Sequence, residues 1–189
     1  MGFNIFGWTG EELMKQQLEK YLFRNDTHSY AVLDGASVPD LPVKLYEMNP
    51  PNVCLYRGEL PADLVYVAPY LVHLFPGTPF TDWLLSECWG KHWGIFAQSP
   101  LSIVGMRKHF RQLLTVDDET GKPMLFRYYD PRVLLPFLMT CNRDELEILF
   151  GKVRYYFAES PDAAELFRFH FANNKLNEAK LKLEFDNKS

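Results

Sequence analysis

At Ser99-Pro100, Asp130-Pro131 and Ser160-Pro161 a small polar residue stands directly before a proline. A side-chain oxygen at a helix N-cap accepts from first-turn N–H groups that have no partner within the helix. Proline is tolerated just after it, where its missing N–H is not needed. Each pair therefore predicts a helix start, and each follows a β-like run: GIFAQS (94–99), MLFRYY (124–129) and VRYYF (153–157). A chain that passes from strand to helix at such points must lay helices against a sheet.

The flanking periodicity extends this expectation. After Pro100, Ile103, Met106, Phe110, Leu113 and Leu114 define one apolar helix face, with Arg107, Lys108 and Arg111 opposite. VLLPFLM follows Pro131, Asn142 with Glu145 offers a capping box for a helix to about Phe150, and Ser160-Pro161 opens a final helical region. Upstream, Thr9 with Glu12 makes another capping box, and Met14, Leu18, Tyr21 and Leu22 predict a helix over about 10–23. SYAVLDGA (29–36) reads as a buried strand closed by an Asp-Gly turn. VCLYRG (53–58) reads as a strand, and LVYVAPYLVHL (64–74) as a strand or mixed segment broken by Pro69. Thr81 to Leu85 can start a short helix, and DDETGKP (117–123) is a hairpin turn between LTV and MLFRYY. The expected fold class is α/β of the mixed α+β kind, a central β-sheet flanked by helices. The expected organisation is one domain over 1–189, with a mixed lobe over 1–129 and a mainly helical part over 130–189.

Charge narrows the function. With 24 acidic and 20 basic residues the net charge is -4, which gives no overall reason to bind nucleic acid or an anionic membrane. Cys54, Cys88 and Cys141 are odd in number, with no CxxC, so neither a disulfide framework nor a zinc site is expected. MGFNIFGWTGEEL lacks the basic start and long apolar run of a signal peptide, and no stretch approaches the ~20 apolar residues of a membrane span. A soluble cytoplasmic protein is expected.

No G-x-S-x-G, Walker loop, G-x-G-x-x-G or H-E-x-x-H is present, and no catalytic residue, metal or cofactor is expected. His73, His92, His109 and His170 lie among apolar neighbours and His28 in a polar turn; Cys88 near His92 is the one Cys-His combination to consider. Trp83, Trp89 and Trp93 fall within eleven residues, read first as core and second as a peptide-binding groove. The face of Arg107, Lys108 and Arg111 is a solvated helix face or a patch for an acidic partner. In FRYYDPR (126–132), strand alternation would put Phe126 and Tyr128 on one side and Arg127 and Tyr129 on the other. Asp130 would cap the next helix, and Arg127 or Arg132 would pair with Asp130 or Asp34. The candidate partner-binding residues are thus Trp83, Trp89, Trp93, Arg107, Arg111, Arg127 and Arg132.

YAVLDGA, CLYRGEL, VAPYLVHL, WLLSECWGKHWGIFAQS, MRKHFRQLLTV and LFRYYDPRVL occur here in that order. Over about Tyr30 to Leu138 the chain resembles a bacterial family labelled as a domain of unknown function, whose members are similar to chaperones or adaptors of the type VI secretion system. The resemblance implies a non-enzymatic role: binding a secreted effector in the cytoplasm and delivering it to the spike-tip protein, the valine-glycine-repeat trimer. Effector selectivity is then expected in the helices after Asn142. The alternatives are a small enzyme, either a hydrolase or a toxin-inactivating immunity protein, and a generic protein-interaction module.

Overall fold

The computed structural model describes residues 10–23, 26–117 and 120–183. Its centre is a seven-stranded sheet in the order β2-β3-β1-β4-β7-β8-β9. The strands are β1 (His28–Asp34), β2 (Asn52–Cys54), β3 (Pro69–Leu74), β4 (Gly94–Ser99), β7 (Tyr155–Glu159), β8 (Glu165–Ala172) and β9 (Lys175–Lys182). Every neighbouring pair is antiparallel. A separate hairpin joins β5 (Thr115–Asp117) to β6 (Pro123–Leu125).

Helices cover both faces of the sheet, and the result is a mixed α+β architecture. On one face, α1 (Gly10–Leu22), α2 (Leu41–Met48) and α4 (Pro79–Glu87) bury Leu18, Leu41 and Leu84 against Ala31, Leu33 and Val72. On the other, α5 (Ile103–Leu113), α6 (Pro131–Thr140) and α7 (Arg143–Phe150) bury Phe110, Leu134 and Leu149 against Tyr30, Val32 and Tyr156. A short α3 (Ala62–Val67) lies between β2 and β3 with no buried residue. Because β1 is an interior strand covered on both sides, its YAVL is buried throughout rather than alternating.

Of the three cap-proline pairs, one behaves as expected. The Asp130 side chain accepts from the Arg132 N–H at 2.9 Å and starts α6. Asn142 and Glu145 form the expected capping box. The box at Thr9 and Glu12 involves a position outside the described residues, but the helix it was to start is present as α1. At Ser99 the expectation is displaced by three residues: α5 starts at Ile103 with Ser102 before it. The Ser99 hydroxyl is already used between layers, donating to the Lys152 carbonyl at 2.9 Å and accepting from the Leu101 N–H.

Ser160-Pro161 does not open a helix, and the mainly helical part over 130–189 is corrected to two helices followed by three strands. The Ser160 hydroxyl donates to Asp162 at 2.6 Å and accepts from the Glu165 N–H at 3.0 Å, closing a turn from β7 into β8. Beyond it, Phe167, Phe169 and Phe171 recur at period two, and Asn173 and Asn174 take φ of 54° and 59° between the paired Ala172 and Lys175. Two adjacent left-handed residues are what a two-residue hairpin needs, and asparagine tolerates that conformation. The sheet thus runs across the expected lobe boundary at residue 129.

Two strands are shorter than expected. VCLYRG contributes only through Cys54, and LVYVAPYLVHL divides at Pro69 into α3 and β3. β6 ends at Leu125, so FRYYDPR does not alternate: Tyr128 and Tyr129 are both buried in a turn in which the Asp130 N–H donates to the Arg127 carbonyl.

Candidate functional site

β1 ends at Asp34, where the buried apolar run meets Gly35. A Cβ on Gly35 would lie 2.4 Å from the Ala68 carbonyl oxygen, so the close approach of the two segments admits only glycine. The Asp34 carboxylate is 1% exposed and accepts from the Ala36 N–H at 3.1 Å and the Ser37 hydroxyl at 2.8 Å. A third donor comes from far along the chain, the guanidinium of Arg127. Arg127 also lies 3.8 Å from Asp130, and Arg132 grips Asp130 with both arms of its fork, at 2.9 and 2.8 Å. The four side chains form the network the sequence suggested, tying the LDGA turn to the start of α6. Burial alone would push the Asp130 carboxyl up, but the hydrogen bonds and charge of Arg132 bring it below its ordinary value.

The aromatic residues of the same motif hold the junction from inside. Tyr128 stacks on Phe110 of α5 with ring centroids 5.6 Å apart, and its hydroxyl donates to the Phe110 carbonyl at 3.1 Å. Arg111, on the same helix, donates to the carbonyls of Cys54, Tyr56 and Leu55 at 2.9, 2.9 and 3.1 Å, so α5 clasps the CLYRG segment where β2 ends. Beside it a groove of about 510 Å³ runs between this segment, the end of α5 and the β5–β6 hairpin, lined by Tyr56, Arg57, Arg111, Leu114 and Leu125. Arg107 sits one turn earlier on α5, half-buried, and Lys108 is exposed.

The tryptophans gather at the opposite side of the sheet. Trp93 is buried and stacks on the half-buried Trp83 with centroids 5.6 Å apart. Lys44 and Lys91 lie over the two rings, 4.7 and 4.6 Å from the centroids of Trp83 and Trp93. Trp89 donates its indole N–H to the Ala163 carbonyl at 2.7 Å, joining this loop to the β7–β8 turn. The loop has Gly90 and His92 at positive φ, and the Glu159 carboxylate accepts from both backbone N–H groups. Burial raises the Glu159 carboxyl above its ordinary value, against the pull of those donors and of the His92 ring, whose Nδ1 lies 2.8 Å away.

The seven candidate residues therefore form two groups, Trp83, Trp89 and Trp93 on one face and Arg107, Arg111, Arg127 and Arg132 around the junction, and the fold does not unite them. Most are occupied within the chain. The Cys-His combination is not assembled as a nucleophile and base: Cys88 is buried, its thiol is pushed up by burial, and the cavity it lines measures about 10 Å³, about the room one water needs. Cys54 and Cys141 are half-buried, and burial pushes the Cys141 thiol up to about 11. Among the described residues no group of three His, Cys, Asp or Glu side chains is placed to hold a metal, and no helix is long and apolar enough to cross a membrane. Sequence reasoning missed the clasp by Arg111 and the acceptor role of Glu159. Both act on backbone groups of segments distant in sequence, and residue spacing carries no signal for that.

The geometry defines a three-layer α+β domain whose motifs lock together around one ionic junction. The chain belongs to the family described as a domain of unknown function (DUF4123), whose model matches residues 29–147. That span runs from β1 through the capping box of α7 and leaves β7, β8 and β9 beyond it. No curated protein matches the chain, and no solved structure does.

Proposed function

We propose that this chain is a chaperone-adaptor of the type VI secretion system, binding a toxic effector in the cytoplasm and handing it to the valine-glycine-repeat spike protein. The observation that carries the reading is one of extent. The motifs resembling such adaptors run from about Tyr30 to Leu138, and the family match covers 29–147. LDGA, CLYRG and FRYYDPR lie in that span and meet at one junction. Large apolar side chains that reach solvent around the β5–β6 hairpin, Met124 at 50% and Leu125 at 54% exposed, are of the kind a partner surface would cover.

In this reading the ionic junction holds the surface in shape and the exposed side chains make the contacts. Selectivity cannot be sought by truncation near Asn142, because the removed segment contains Tyr156, Phe157 and Phe169 of the core. Surface substitutions are the appropriate probe. The test is co-expression of a type VI effector encoded beside this chain's gene, with and without this chain, followed by affinity capture. A rise in soluble effector and a co-purified complex support the adaptor; unchanged effector solubility with no complex argues against it.

A further inference from the structure

The β5–β6 hairpin has a second flank. There it meets α6 and α7 around a groove of about 300 Å³, within the usual size range of binding pockets. Leu113, Val116, Phe126, Phe137, Ile148 and Leu149 line it. Phe126 and Phe137 pack with centroids 4.5 Å apart, while Ile148 at the lip is 67% exposed. Met124 pairs with Val116 across the hairpin, hence stands on the same face and extends the apolar surface. Two carboxylates, Asp117 and Glu145, are in the lining, and no lysine or arginine is. Asp144 stands one turn before Ile148 on the same side of α7, and the nearby Arg143 is already paired with Glu147 at 2.9 Å.

We propose that this groove seats a cationic amphipathic helix of the cargo. The charge pattern selects the sign: an apolar floor between carboxylates complements leucine-like anchors flanked by lysine or arginine. The lining side chains come from α5, α6, α7 and the hairpin. Most of these are helix side chains, and an occupant seated on side chains satisfies its own backbone hydrogen bonds, as a helix does. The source of the helix rests on the adaptor reading; the chemistry of the groove does not.

The test titrates the full chain into a fluorescein-labelled amphipathic peptide of roughly 18 residues built from leucine and lysine, long enough to lay three or more anchors along one face. Its leucine and glutamate counterpart serves as comparison, and anisotropy is the readout. The leucine-lysine peptide should bind at least about tenfold more tightly than the counterpart, and Ile148→Ser should weaken it by about tenfold, the loss expected for part of one buried aliphatic side chain. Asp117→Lys should weaken it too, whereas Asp63→Lys, on exposed α3 beside α2 and away from the α5, α6 and α7 face, should change it by less than about twofold because salt screens exposed charges outside the groove. Equal binding of the two peptides, or an equal effect of Asp63→Lys and Asp117→Lys, would overturn the groove. So would self-association of the chain that Ile148→Ser abolishes, which would assign the groove to a second copy. If the peptide results hold and Ile148→Ser leaves cargo capture unchanged, the cargo is not the source of the helix, and the adaptor reading stands or falls separately.

Discussion

Arg127→Ala tests the junction most sharply, because it removes one of three donors from a carboxylate that is buried in the folded chain. Asp34 is 1% exposed and retains the Ala36 N–H and the Ser37 hydroxyl after the change. Removing one partner of a fully buried ion pair costs about 3–5 kcal/mol, and a single charge-assisted hydrogen bond is worth about 1.5–3 kcal/mol. The Arg127 side chain is 43% exposed, so solvent screens its charge and water can take its place, which puts the expected loss at the lower end, about 2 kcal/mol. For a domain of this size that corresponds to a fall in Tm of about 4–8 °C. A double-mutant cycle with Asp34→Ala isolates the pair: in that background Arg127→Ala should cost almost nothing, giving a coupling of about 2 kcal/mol. Urea denaturation followed by fluorescence of the four tryptophans supplies all four stabilities. A coupling below about 0.5 kcal/mol, the ordinary value for an exposed pair, would refute the claim that this pair joins the two motifs.

Asp130→Ala should cost about 1 kcal/mol through the lost cap, and Asp130→Asn, which keeps a capping oxygen, should cost less in the same denaturation assay. Gly35→Ala should destabilise by more than about 2 kcal/mol or leave the chain insoluble, since the new methyl meets backbone oxygens of Ala68 and Tyr66 that have no rotamer to move. Burial, with His28 beside it, lowers His73 to about 4, and burial likewise lowers His109, so the unfolded chain takes up protons first as pH falls. Stability from these two histidines is complete above about pH 6.5 and declines as pH falls toward 4; urea midpoints should drop across that window, and less so in His73→Gln.

The local signals that reached the structure intact were those whose partners lie within a few residues. The Asp130 cap, the Asn142 and Glu145 box and the β5–β6 hairpin are set by chain chemistry at close range. Where a local signal failed, a distant group had claimed the same atom, as Lys152 claims the Ser99 hydroxyl, or a second local signal was overlooked. The phenylalanines at 167, 169 and 171, followed by Asn173-Asn174, spelled a hairpin that the Ser160-Pro161 pair obscured. A pairing of Arg127 or Arg132 with Asp130 or Asp34 was legible because all four are charged residues in or beside β-like runs; which arginine reaches Asp34 was set by the fold. The convergence of CLYRG on the same junction was not, because Arg111 binds carbonyls, which every residue has.

The adaptor proposal meets its most direct test at the spike itself. The amount of effector captured on tagged valine-glycine-repeat protein is measured from bacterial cells with this chain present, absent, or carrying Ile148→Ser. The account predicts capture with the wild-type chain, little or none without it, and reduced capture with the variant although the chain stays folded. Equal amounts of effector on the spike in the presence and absence of the chain would contradict it.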